Sequence, residues 1–208
     1  MAQHFSSKNL LLSNQPLVVG VPASLQALQD FAAADEEEQA AQCDVVELRL
    51  DLLRDQVQDL ESALAALCRP LLLTARHPAE GGAGDLPAAE RWRLVEPLLS
   101  RAAIWDVELR SLEEMREGLA AARKAGVAVI GSFHDFDRTP AAEILEGAAG
   151  LAEAAGLDAV KVATHLQEAE DLARLISFAG RKRRVRVCAM GMGALGPVSR
   201  LALAKCGS

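Results

Sequence analysis

Seven times along the chain a short apolar run gives way to an amphipathic stretch rich in alanine and leucine. The apolar runs fall at 16–21, 44–52, 70–76, 104–109, 127–133, 158–164 and 184–190. Helical periodicity fills 24–41, 56–68, 87–100, 111–126, 139–156, 167–180 and 197–206. Strict alternation of this kind predicts parallel strands joined by right-handed helical crossovers, because parallel neighbours need a long connection and the strand twist selects its hand. The units recur about every 25–30 residues, the size of one strand plus its crossover helix. The fold expected is therefore α/β, a (β/α)8 TIM barrel. Its eighth strand is expected to be missing or truncated, since only Gly207 and Ser208 follow the last helical stretch. No linker or composition shift divides the 208 residues, so one domain is expected over 1–208, with 1–15 as an N-terminal extension or hairpin.

Composition narrows the function classes. A net charge of −7 argues against general nucleic-acid binding, which needs a basic face. The one basic cluster, "RKRR" at 181–184, lies between a helical stretch and a strand and reads as a solvated turn. No apolar run approaches the ~18 residues of a membrane span, and the N-terminus lacks the basic start and apolar stretch of a secretion signal. Cys43, Cys68, Cys188 and Cys206 form no CxxC pair, so neither a zinc site nor a redox motif is indicated. Each reads as a small buried hydrophobe, and a cytoplasmic location fits unpaired cysteines.

A strand buried on both faces should be almost wholly apolar. Three of these are not. In "VVELRLDLL", Glu47, Arg49 and Asp51 alternate with Leu48, Leu50 and Leu52, which at period two puts charge on one face and leucine on the other. "IWDVELR" repeats the pattern with Asp106, Glu108 and Arg110 against Val107 and Leu109. An edge strand with one wet face would explain one such case. Two together suit a barrel whose leucines meet the outer helices and whose charges meet inside, where they must pair or bind something. The third case is Lys161 in "DAVKVAT", flanked by Val160 and Val162. Two readings stand: an ammonium paired with an inward carboxylate, or an amine made nucleophilic by desolvation or a nearby cation and able to form a Schiff base.

His134, in "GSFHDFDRTP", closes the fifth apolar run. Alone it is a packed or turn histidine. In a barrel, catalytic groups gather at the C-terminal ends of strands, and imidazole suits acid and base work near neutral pH. "TARHPAEGG" follows the third run with Arg76, His77, Glu80 and a glycine pair, and "MGMGALGPVSR" follows the seventh and leads to Arg200. The first loop taken alone reads as solvated. The glycines of the second do not form GxGxxG after a first strand, so they are a poor nucleotide signal. Arg200 is either a surface residue or a guanidinium fork for a carboxylate.

Taken together, "ELRLD", "TARHPAEGG", "SFHDFDRTP", "AVKVA" and "GPVSRL" resemble, in order and spacing from about residue 16 to the end, the type I 3-dehydroquinate dehydratases, (β/α)8 enzymes of the shikimate pathway. The resemblance implies that Lys161 forms the imine, that His134 is the general acid–base and that Glu80 orients it. It implies that Arg200 holds the substrate carboxylate, while Glu47, Arg49 and Arg76 contact substrate hydroxyls or one another. It implies 3-dehydroquinate as substrate, with no metal or cofactor, a homodimer, and no nucleic-acid or membrane partner. His77 and His165 have no role in the pattern. Gly20 stands where some members carry serine. The serine and glutamine of the family's closing loop, which follows an eighth strand, have no counterpart before Ser208, so weakened binding and turnover are expected. Two alternatives remain: another Schiff-base lyase, such as an aldolase using the same Lys161, and a divergent barrel that binds a metabolite or partner with little or no turnover.

Overall fold

The computed structural model describes residues 10–11 and 15–208. The extension or hairpin expected over 1–15 lies, apart from residues 10, 11 and 15, outside the described residues. Two compact units are formed, the first chiefly from Leu17–Asp106 and Glu114–Ala128, the second chiefly from Val107–Glu113 and Val129–Ser208. Seven strands and eight α-helices are delimited among the described residues, with no eighth strand.

The first unit contains β1 (Val19–Gly20), α1 (Leu25–Ala33), α2 (Glu36–Gln42), β2 (Val45–Arg49), α3 (Leu60–Ala66), β3 (Leu71–Thr74), α4 (Ala88–Val95), most of β4 (Ile104–Glu108) and α5 (Arg116–Ala125). β1 to β4 pair in sequence order and in parallel. One face of these strands is the core: Leu48, Leu50, Leu73 and Trp105 are buried. Aliphatic residues dominate the core, as scarce aromatics require, but Trp105 is a large exception, tilted against Trp92 at 5.6 Å between ring centroids. The helix expected over 24–41 is two helices. Asp35 breaks it by capping α2: its carboxylate accepts the Glu38 amide at 2.9 Å, and the Glu38 carboxylate accepts the Asp35 amide at 3.3 Å. This reciprocal pair satisfies donors that a continuous helix would have used internally. The buried Gln39 then ties the unit together, donating to Ala34 O at 3.0 Å and accepting the Cys68 amide at 2.8 Å.

The second unit contains β5 (Ala128–Asp135, from Val129), α6 (Ala142–Ala154), β6 (Ala159–His165), α7 (Ala169–Ala179), β7 (Arg186–Met192) and α8 (Gly196–Lys205). β5, β6 and β7 are parallel and in sequence order. Val160, Val162, Leu145, Leu175, Phe178 and Leu203 are buried in its core. "RKRR" is more than a solvated turn. Arg183 is half-buried, its side chain 7% exposed; it donates to Phe178 O and to Glu146 at 2.6 Å, and lies 4.3 Å over the Phe178 ring. Its neighbours Lys182 and Arg184 are exposed, as expected.

Other differences have local causes. β2 ends at Arg49, so Leu52 is 53% exposed rather than packed on a helix. β4 ends at Glu108, and Arg110 lies exposed in the turn Leu109–Ser111 rather than on an inward face. Of the cysteines only Cys43 is fully buried; the other three are half-buried. Burial pushes the Cys43 thiol above its ordinary range, the direction expected of an inert packed thiol. Among the described residues no helix is long and apolar enough to cross a membrane.

Candidate active site

In the second unit Lys161 and His134 lie on one face of two paired strands. Ser132 of β5 is opposite Lys161 of β6, and His134 is opposite Ala163. Side chains two apart along a strand share a face, so Lys161 and His134 project from the same side, with His134 one pleat, roughly 6–7 Å, farther toward the strand ends. Cys188 and Met190 of β7 are opposite Lys161 and Ala163 and belong to that side as well. Val160 and Val162 face the helices. Lys161 and His134 are both half-buried, reachable yet partly shielded from water.

The loop after His134 is held at both ends. Asp135 Oδ1 accepts the Asp137 and Arg138 amides, each at 3.0 Å, which turns the chain sharply after the histidine. Thr139 Oγ1 donates to His165 O at 2.9 Å and lies 2.9 Å from Thr164 Oγ1. Arg174, paired with Asp171 at 2.7 Å, donates to Thr139 O at 3.1 Å. The His134 ring stacks on Phe136 with centroids 6.2 Å apart. Thr139, Thr164 and Arg174 were not singled out by the sequence patterns, because each acts through a partner distant in the chain.

His165 shares the Lys161 face, two pleats along. Gly193, at φ +80°, lies so close that a Cβ there would be 2.8 Å from the imidazole. The Gly191 amide in β7 is already taken by Ser199 Oγ at 2.9 Å, so that glycine offers no anion contact. Arg200, one residue beyond Ser199 on α8, is exposed, and its side chain has no ion-pair or hydrogen-bond partner among the described residues.

The first unit carries the other residues singled out. Glu47 and Arg49 lie on one face of β2, with Leu72 and Thr74 opposite them on β3, and Asp106 opposite Thr74 on β4. Thr74 Oγ1 donates to Glu47 Oε1 at 2.7 Å. Arg76 is buried and donates to Asp106 Oδ1 at 2.9 Å, one of the inward pairs that the charged strands required. Arg49 forms a two-bonded fork with Asp51, Nε to Oδ1 at 2.9 Å and Nη2 to Oδ2 at 2.8 Å.

"EGG" is not a solvated loop. Glu80 is buried in a short 3-10 turn, Pro78–Glu80. His77 begins that turn, its Nδ1 accepting the Ala79 amide at 3.0 Å, so it has a structural task here. Gly81 follows at φ +82°, and a Cβ on Gly82 would come within 2.2 Å of Arg76 O. Only a glycine pair lets the chain fold back this tightly around the glutamate.

Asp51 is buried. Burial raises its pKa, but the Arg49 fork and the Ala83 and Arg76 amides outweigh that and hold the carboxyl below the ordinary carboxylate range. A depressed folded-state pKa stabilises the fold above the unfolded value near ~3.9, and that contribution is lost as pH falls below it. Asp51→Asn is therefore expected to flatten the acid-side fall in thermal stability. Thermal unfolding of both chains between neutral and strongly acid pH checks this; parallel curves would contradict it.

The arrangement is a parallel α/β fold with a lysine in mid-strand and a histidine near the C-terminal end of the neighbouring strand, on one face. The fold is of the TIM-barrel class. A family profile described as Type I 3-dehydroquinase matches residues 20–208. The 3-dehydroquinate dehydratase of Lactiplantibacillus plantarum is 35% identical, over 94% of this chain and 82% of the relative. That of Thermodesulfovibrio yellowstonii is 30% identical, over 89% and 82%. The solved 3-dehydroquinate dehydratase of Enterococcus faecalis superposes with a TM-score of 0.80 at 27% identity, covering 94% of this chain and 87% of that one. The chain belongs to the type I 3-dehydroquinase family.

Proposed function

We propose that this chain removes water from 3-dehydroquinate to give 3-dehydroshikimate. The observation that carries the reading is the shared strand face: a half-buried lysine and a half-buried histidine one pleat apart on paired strands. The Lys161 amine adds to the substrate ketone and water leaves, forming an iminium. His134 removes a proton from the carbon beside it, and the electron pair passes into the iminium to give an enamine. The enamine expels the hydroxyl, which takes a proton from His134 and departs as water. Hydrolysis of the conjugated iminium then releases product and restores Lys161. The iminium is the electron sink, so the sequence requires no metal or cofactor.

In this reading Glu80 orients His134, Arg200 holds the substrate carboxylate, and Glu47, Arg49 and Arg76 form the polar wall that meets the hydroxyls. The buried pairs Thr74–Glu47 and Arg76–Asp106 support it, because such groups keep their geometry before substrate arrives. The same reading carries a cytoplasmic homodimer that takes a small substrate and no nucleic acid, in keeping with the net charge of −7.

The test is an assay of 3-dehydroquinate with purified chain, followed by the ultraviolet absorbance of the conjugated product. Product is expected to accumulate without added metal or cofactor and in the presence of a chelator. Absence of product, or carbon–carbon cleavage in its place, would overturn the reading.

A further inference from the structure

We propose that Asp51 is a positioning residue, one buried carboxylate that sets both the Arg49 guanidinium and the loop bearing Glu80. The inference rests on the function proposed above. The Asp51 side chain is wholly buried, while that of Arg49 keeps 22% of its surface exposed. Oδ1 accepts Arg49 Nε at 2.9 Å and the Arg76 amide at 3.2 Å. Oδ2 accepts Arg49 Nη2 at 2.8 Å and the Ala83 amide at 3.0 Å. Residues 76 and 83 are the two ends of the segment that carries Glu80, so the two oxygens clamp its entry and its exit. Arg49 adds a third hold, Nη2 donating to Gly81 O at 3.1 Å.

Within the clamp, His77 O accepts the Glu80 amide at 2.9 Å and the Gly82 amide at 3.0 Å. The loop is thus a closed ring of hydrogen bonds with Asp51 as its base. Four donors converge on one carboxylate, and no neutral side chain of that shape can accept all four. Asparagine would turn an N–H against an amide or the guanidinium, leaving buried donors unsatisfied. Asp51 need not touch substrate. It acts through Arg49, which would meet a substrate hydroxyl, and through the backbone that places Glu80.

The experiment compares the full chain with Asp51→Asn, Arg49→Met and the double variant. In the free proteins, amide exchange over 76–83 is expected to rise about tenfold or more in Asp51→Asn, with peptides of β6 and β7 unchanged. With 3-dehydroquinate, each single variant is expected to raise KM about tenfold, and the double variant to remain within about threefold of the worse single one, since coupled residues are not additive. A residue that serves only general stability would raise exchange along the whole chain, and its kinetic loss would multiply with that of Arg49→Met; either result overturns the proposal, as does unchanged exchange over 76–83. If Asp51→Asn does not fold, Arg49→Lys probes the same link, and unchanged exchange at 81–83 overturns it. If the unaltered chain leaves 3-dehydroquinate intact, the functional reading has failed and the exchange measurement alone decides the positioning.

Discussion

Borohydride added to the chain during incubation with 3-dehydroquinate is expected to fix ligand mass on one peptide, the one containing Lys161. Lys161→Met is expected to abolish that adduct and to lower turnover by roughly 10³-fold or more, the scale seen when a covalent residue is removed. Methionine keeps the length and the apolar stem, and the neighbours Val160 and Val162 point to the other side of β6, so the fold should survive. The chemistry should not, because no other group on that strand face is an amine: the adjacent positions are Ser132, Ala163, His165 and Cys188. Mass spectrometry of the digested adduct gives the site directly. Label on a different lysine, or undiminished turnover in Lys161→Met, would remove Lys161 from the mechanism.

The second large effect concerns His134. His134→Ala is expected to slow turnover by about 10²–10⁴-fold, the range for loss of a general acid–base, while leaving the borohydride adduct on Lys161 in place. The separation follows from the roles. Imine formation needs the amine, whereas loss of the proton and of the hydroxyl needs the imidazole. Removing the ring deletes its stacking on the half-exposed Phe136. It leaves the loop anchors intact, since Asp135, Thr139 and Arg174 hold the turn through other atoms. Circular dichroism should therefore match the unaltered chain. Near-normal turnover would make His134 a strand-end residue and nothing more.

Much of the site was legible because strand periodicity is strict. Glu47 and Arg49 had to share a face, and so did Lys161 and whatever stood two residues from it, once the strands were recognised. Asp106 was flagged as a charge needing an inward partner; that Arg76, read only as the head of a loop, supplies it depends on the register of β3 against β4. Glu80 was harder. Its loop contains proline, glycine and charge, which locally resemble a solvated turn, and its burial comes from Asp51 closing the loop from 25 and 32 residues away. His77 was set aside because its contact is with a backbone amide, which leaves no trace in a side-chain pattern.

Element boundaries divide in the same way. The alternation of apolar and amphipathic runs determined by itself that the strands would be parallel and in what order they would occur, since each crossover is long enough for a helix and too long for a hairpin. Local capping chemistry, as at Asp35, was also written in the chain, though a continuous helical periodicity concealed it. What only the tertiary structure decided were the ends of β2 and β4, the packing of Arg183 on Phe178, the burial of Glu80, and the partners of each buried charge. The physical reason is range. Periodicity reports which face a side chain takes, because that follows from its nearest neighbours in the chain. Partnership of buried ions depends on atoms tens of residues distant, and a burial that would be prohibitive alone becomes stable only when the fold delivers the opposite charge or the backbone donors to that point.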